Sequence, residues 1–195
     1  MIDSKKTFAY YLKQDQLALG RRDDRRPRVF GDEIWKFEIL LRKVEYDMNC
    51  RFGLFGKLFG KYHKFRFHLL GVRLGFTIPP NVFGPGLAVP HYGTIVVHAN
   101  VRAGKNCRLQ EGVTIGATGG SHEAAVIGDN CYFGSGAKVI GAVRIADDVA
   151  VGANAVVTKD IAEAGTTWAG APARKISGKN SHSNLCAALF GQTEE

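Results

Sequence analysis

From Val97 onward, large apolar residues recur at every sixth position. Val97, Ala103, Leu109 and Ile115 form one register, and Ile127, Phe133, Val139, Ile145, Val151 and Val157 resume it after twelve residues. Four positions after most of these, a small or branched residue repeats: Val101, Cys107, Val113, Cys131, Ala137, Val143, Val149 and Ala155. The second position is often glycine, as at Gly104, Gly116, Gly128, Gly134 and Gly152. A period of six matches neither the alternation of a strand nor the 3.6 of a helix. It predicts short parallel strands joined by tight turns and coiled into a prism, with one large and one small residue per repeat inside. Gly104-Lys105-Asn106 and Gly128-Asp129-Asn130 supply residue types that reach unusual backbone angles at the turns.

The chain ahead of the repeats has another texture. Apolar positions at Ile34, Phe37, Ile39, Leu40, Leu41 and Val44 predict a helix from about Val29 to Asn49. A second helix is predicted from about Leu54 to Val72, weakened at its start by Gly53, Gly56 and Gly60. Residues 1–28 are polar, with an Arg/Asp run broken by Pro27, and are expected to form a loose arm. The reading divides the chain into a basic, mainly helical segment (1–74), the repeat domain (75–176) and a tail (177–195) without a legible motif.

Composition narrows the picture. The chain has 195 residues, 45% hydrophobic and 23% charged, enough for one globular domain with a real core. No run of 18 apolar residues is present, and the first 30 residues lack an apolar leader segment, so a cytoplasmic protein is expected. The four cysteines have no CxxC spacing; Cys107 and Cys131 fall at the small inward position and are expected to be inert core thiols. Cys50 and Cys186 receive no role. The net charge of +8 sits entirely in residues 1–76, which hold 17 Lys/Arg against 9 Asp/Glu, while residues 77–195 hold 9 of each. The basic, aromatic stretch from Arg51 to Leu70 invites a peripheral membrane reading. Aromatics packed on a neighbouring subunit or domain are the preferred explanation. No nucleic-acid motif accompanies the charge, so no such partner is expected.

Three segments carry a family resemblance: Leu87-Ala88-Val89-Pro90-His91-Tyr92-Gly93-Thr94-Ile95-Val96-Val97, Gly112-Val113-Thr114-Ile115-Gly116 and Ala169-Gly170-Ala171-Pro172-Ala173-Arg174. About half the chain, Gly75 to Ile176, resembles the hexapeptide-repeat acyltransferases, and within them the serine O-acetyltransferases. The resemblance implies a mainly β fold, a left-handed parallel β-helix behind a helical N-terminal segment that is shorter here than in many members. That handedness departs from the usual right-handed crossover. It also implies acetyl-coenzyme A as co-substrate and a homotrimer, with the coenzyme's pantetheine arm between adjacent prisms. No GxxxxGK[ST] phosphate loop is present.

Candidate chemistry centres on His91, flanked by Pro90 and Gly93 where the chain leaves a regular coil. An imidazole is suited to take a hydroxyl proton at neutral pH, and the resemblance makes His91 the catalytic base. His122 lies in a glycine-rich stretch, Gly116 to Glu123, that reads as a loop leaving the prism or as two degenerate repeats. The resemblance implies substrate contact for His122. Backbone N–H groups around Gly116 and Gly119 are candidates for holding a developing oxyanion, with Gly116 also on the coenzyme side. Matching positions for the coenzyme are Gly134, Ser135 and Ala153, with Arg174 and Lys175 facing its phosphates. Val151, Val157 and Trp168 are expected to cover prism edges toward a neighbouring copy.

Two departures bear on the acceptor. The family carries an aspartate before the catalytic histidine, where Pro90 stands, and another near the first coil, where Phe76 and Thr77 stand. Thr77 is therefore the substrate-side candidate there. Loss of both carboxylates removes the expected grip on the ammonium of L-serine, and a sugar hydroxyl of a surface-polysaccharide precursor joins serine as acceptor. Two other readings stand beside acetyl transfer. One is a metal-dependent hydratase of the γ-carbonic-anhydrase type using His91, His98 and His122, which lacks a close histidine pair; His63 and His68, spaced by five, do not share a helix face. The other is a non-catalytic scaffold. No metal is expected.

Overall fold

The structure is a computed structural model that describes residues 1–21 and 26–191. Three helices lead: α1 (Lys5–Ala18), α2 (Glu33–Cys50) and α3 (Gly53–Leu74). The expected loose arm is thus largely a helix. Ser4 and Thr7 close a capping box at its start. Its Asp15 is buried against α2, a long-range partner that local polarity does not reveal. The Arg/Asp run behind that expectation falls mostly on residues 22–25, outside the described residues.

Gly75, at φ 78°, ends α3, and the prism begins at once. Its first face stacks Phe76–Thr77, Ile95–Val97, Thr114–Gly116, Lys138–Ile140 and Val156–Val157, all parallel. The second face stacks Arg102–Ala103, Val126–Ile127 and Arg144–Ile145. The third stacks Arg108–Leu109, Tyr132–Phe133, Ala150–Val151 and Thr167–Ala169, closed by the antiparallel Arg174–Ser177. The fold is the expected left-handed parallel β-helix. Nine of the ten sixth-position residues are buried, and Ala103 is partly so. Val151 and Val157 point into this core, so they cover no edge; Trp168 alone of the three reaches the surface.

Register resolves the twelve-residue gap. The step from Val96 to Thr114, and from Lys138 to Val156, is eighteen residues, but from Thr114 to Lys138 it is twenty-four. The surplus six are a loop excursion after Gly116, not two degenerate repeats. One prism corner is an amide ladder. Asn106 donates to Asn130 (2.7 Å) and Asn130 to Asp148 (2.8 Å), each with φ between 55° and 60°. The tail docks on this ladder: Ser181 Oγ donates to the Asn130 carbonyl, and His182 Nε2 lies 2.8 Å from Asp148. Cys107 and Cys131 are buried and unpaired, and burial pushes the Cys131 thiol up to about 12. No described helix is long and apolar enough to cross a membrane.

Helices and prism share apolar packing of Ile34, Phe37 and Leu41 against the prism core, and beside it a buried polar cluster. The Arg42 guanidinium, with no exposed surface, donates to Asp15 (2.7 and 3.2 Å), to Glu45 (2.9 Å) and to the carbonyls of Phe83 (3.0 Å) and Gly84 (2.7 Å). Burial alone lowers its proton affinity, but the two carboxylates more than offset that and hold it charged. Arg42→Met would leave two buried carboxylates without a cation, at a cost of about 3–5 kcal/mol. Urea unfolding should register a midpoint shift of that size; a loss below about 1 kcal/mol would mean the cluster does not hold the two parts together.

Candidate functional site

Helix α2 is the template for the first coil. Glu45 Oε1 accepts from the Asn81 N–H (2.8 Å), Arg42 reaches Phe83 and Gly84, and Glu38 Oε1 accepts from the Val89 N–H (3.0 Å). Asp15 of α1 accepts from the Gly86 and Leu87 N–H groups (2.8 and 2.9 Å). Tyr92 donates to Glu33 at 3.3 Å. Residues 38, 42 and 45 share one helix face by their spacing of four and three. The coil from Asn81 to Tyr92 is thereby laid antiparallel along α2, with His91 at its end.

There the chain leaves the regular path. Ala88 is twenty residues from its stacked partner Arg108, whereas Val96 is eighteen from Thr114. Two surplus residues therefore bulge at the corner between the third and first faces, within His91-Tyr92-Gly93. His91 and Tyr92 are both exposed.

One coil below, a Cβ on Gly93 would lie 2.9 Å from the Glu111 Cβ, so glycine is required for this close approach. The Glu111 carboxylate senses His91, and a hydrogen bond from Ser135 foremost holds its carboxyl below the usual range. Below Ser135 comes Ala153: a Cβ on Gly134 would meet the Ala153 nitrogen at 2.7 Å. The corner ends where Gly152 meets Ala169, whose register partner is Arg174. His91, Glu111, Gly134, Ser135, Ala153 and Arg174 thus follow one corner, smooth where side chains are excluded. At the ~4.8 Å spacing of stacked strands it runs about 19 Å.

The other expected residues are distributed differently. Among the described residues Arg174 donates to the Ala173 carbonyl alone, whereas Lys175 is engaged by Glu163 at 2.5 Å. Gly116 pairs with Ile140 at the opposite edge of the first face, about 13 Å away for four residues of extended chain. His122 is at that far edge too: Asn100 donates to its carbonyl at 2.6 Å, and the Asn100 N–H to His98 Nδ1 at 3.2 Å. Thr77 lines a groove of about 530 Å³ between α3 and the first face, with Lys64, His68, Thr94 and Val96 and, among the described residues, no carboxylate. Glu111 was not anticipated from sequence. Its only signal is an acidic residue at a turn one coil beyond His91. No cluster of three or more His, Cys, Asp or Glu among the described residues suits a metal ion.

Glu38 ties this corner to protonation. Burial, then the Asp15 carboxylate, raises its carboxyl well above the usual range, against the stabilising Val89 N–H. A carboxyl with a raised folded-state pKa contributes most below its unfolded value, near about 4.5, and that contribution is lost as pH rises toward the folded value. Glu38→Gln should therefore flatten the fall of unfolding free energy with pH above about 4.5. Parallel curves for the two proteins would refute the assignment.

Comparison with known proteins agrees with this architecture. The family model for the bacterial transferase hexapeptide (six repeats) matches residues 124–159. A serine acetyltransferase of Helicobacter pylori is 35% identical over 126 residues, covering 59% of this chain and 73% of that protein. One of Mycobacterium tuberculosis is 34% identical over 85 residues, 43% of this chain and 37% of that protein. Among solved structures, serine acetyltransferase from Brucella abortus superposes with TM-score 0.69 at 21% identity, over 91% of this chain and 72% of that one. Its complex with coenzyme A gives TM-score 0.71 at 23% identity, over 90% and 70%. The Neisseria gonorrhoeae enzyme in complex with serine gives 0.63 at 23%, over 87% and 69%.

Proposed function

We propose that this chain, which belongs to the serine acetyltransferase family and is an O-acetyltransferase, uses His91 as the base that moves an acetyl group from acetyl-coenzyme A to a hydroxyl acceptor. The observation that carries the reading is the His91 bulge heading a smooth corner of small residues that ends at Arg174.

In this reading, His91 takes the acceptor proton as the hydroxyl oxygen attacks the thioester carbonyl. The tetrahedral intermediate expels the thiolate, and the imidazolium returns the proton to sulfur. No acyl-enzyme forms. The pantetheine arm follows Gly134, Ser135 and Ala153, where a bare backbone leaves room, and Arg174 meets a phosphate. Lys175, paired with Glu163, contributes less.

For the acceptor we favour L-serine, with Glu111 supplying the carboxylate that Pro90 and Thr77 do not. The groove at Thr77, lined by no carboxylate, favours a neutral sugar hydroxyl as the second reading. His91 and the His122 loop stand at opposite edges of one face, which supports a homotrimer in which neighbouring copies bring such edges together. Sedimentation at the mass of a monomer with full activity would overturn that assembly.

Thiol release from acetyl-coenzyme A, with L-serine and neutral sugars as acceptors, tests the reaction. His91→Ala should lose roughly 10²–10⁴ in turnover with coenzyme binding retained; an unchanged rate removes His91 as base. Glu111→Gln should raise the KM for serine by roughly ten- to hundredfold, the worth of a charge-assisted hydrogen bond. Turnover with sugars alone would shift the acceptor to the second reading.

A further inference from the structure

Helix α3 presents its aromatics outward. Phe55, Leu58, Tyr62, Phe65, Leu69 and Val72 recur at spacings of three and four, forming one stripe, and all are more than half exposed. The stripe runs about 26 Å along the helix. The opposite side, with Phe67, Leu70, Gly71 and Leu74, faces α2 and the first coil, where Phe37 stacks on Phe67 at 4.9 Å. Of the aromatics expected to pack on a neighbouring subunit or domain, Phe67 packs within this chain, against Phe37.

Charge flanks the stripe. Lys57, Lys61, Lys64 and His68 form the adjoining row on one side, and Arg66 and Arg73 lie on the other. Helix α3 contains no Asp or Glu in its 22 residues. Lys57, Lys61 and Lys64 form no hydrogen bond or ion pair among the described residues. An isologous pairing of two such helices would set lysine rows against each other with no carboxylate on either helix to offset them. The occupant that satisfies both features carries anions beside an apolar layer.

We propose that α3 is a docking surface for an anionic phospholipid bilayer, lying in the plane of the interface with its stripe in the acyl boundary and its lysines among phosphate headgroups. The inference does not depend on the acetyl-transfer reading, because binding is measured without turnover. The groove at Thr77 opens beside the row containing Lys64 and His68, so docking sets its mouth at headgroup level.

The test is co-sedimentation of the full chain with vesicles of phosphatidylcholine alone and of phosphatidylcholine with phosphatidylglycerol. Binding is expected to the mixed vesicles only and to weaken as salt rises. At about fivefold per lysine near an anionic surface, Lys57→Gln/Lys61→Gln/Lys64→Gln should weaken it about a hundredfold. Leu58→Ser/Phe65→Ser/Leu69→Ser should abolish it while leaving the unfolding midpoint in place, since these side chains are exposed. Failure to bind mixed vesicles, equal binding to both vesicle types, or undiminished binding by the serine variant would each overturn the proposal. So would a vesicle-free assembly of the wild type that the serine variant dissolves, which would assign the stripe to contacts between copies.

Discussion

Where the first coil lies, and hence where His91 stands, depends on a buried polar cluster centred on a guanidinium with no exposed surface. Arg42 joins α1 through Asp15, sits on α2 beside Glu45, and holds two carbonyls of the coil through its remaining donors. Burying an ion in this way costs several kcal/mol before its partners repay it, and a well-packed apolar contact would stabilise as much. What an apolar contact lacks is register. A prism of near-identical repeats offers a helix many equivalent places to sit. Directional partners at Asn81, Phe83, Gly84, Gly86, Leu87 and Val89 leave one.

The rest of the candidate site follows from the ways the repeat is broken. In an unbroken prism, side chains alternate between core and surface and stack on copies of themselves, so no group projects into a groove. This chain breaks the pattern by two residues at His91 and by six after Gly116. Both breaks border the first face, one at each edge. Along the corner headed by the first break, the regular coils form a rigid wall with glycine where backbone comes close.

Legibility in the sequence tracks how local each interaction is. The period of six appears because each coil repeats one requirement on its interior, and the core positions could be read without knowing any partner. Helix α1 could not, since its fixing contacts reach 27 residues to Arg42 and more than 70 to Gly86 and Leu87; only the Ser4–Thr7 cap was a local cue. Glu111 was hidden for a similar reason. Its nearness to His91 exists only once the length of a coil and the bulge above it are both known. The position of α3's aromatics was the reverse case. Their spacing was visible, but which side of the helix met the core was decided by Phe37 on α2.

The same division of labour explains the charge of the N-terminal segment. Residues 1–76 carry 17 basic and 9 acidic side chains, which by composition is a moderate excess. Four of those acidic side chains, Asp15, Glu38, Glu45 and Asp47, are buried, and among described residues Arg42 is the one buried cation. Asp47 is spent on His63 and Arg51, and the other three serve the first coil and its arginine. The acids that would soften the outer surface are therefore turned inward. What remains outside is more basic than the count suggests, and it lies beside the long apolar stripe of α3. The buried cluster that positions His91 thus also polarises the helices, with carboxylates toward the prism and lysines away from it. A surface electrostatic argument made from composition alone would miss this, because it treats paired, buried ions and solvated ones as equal.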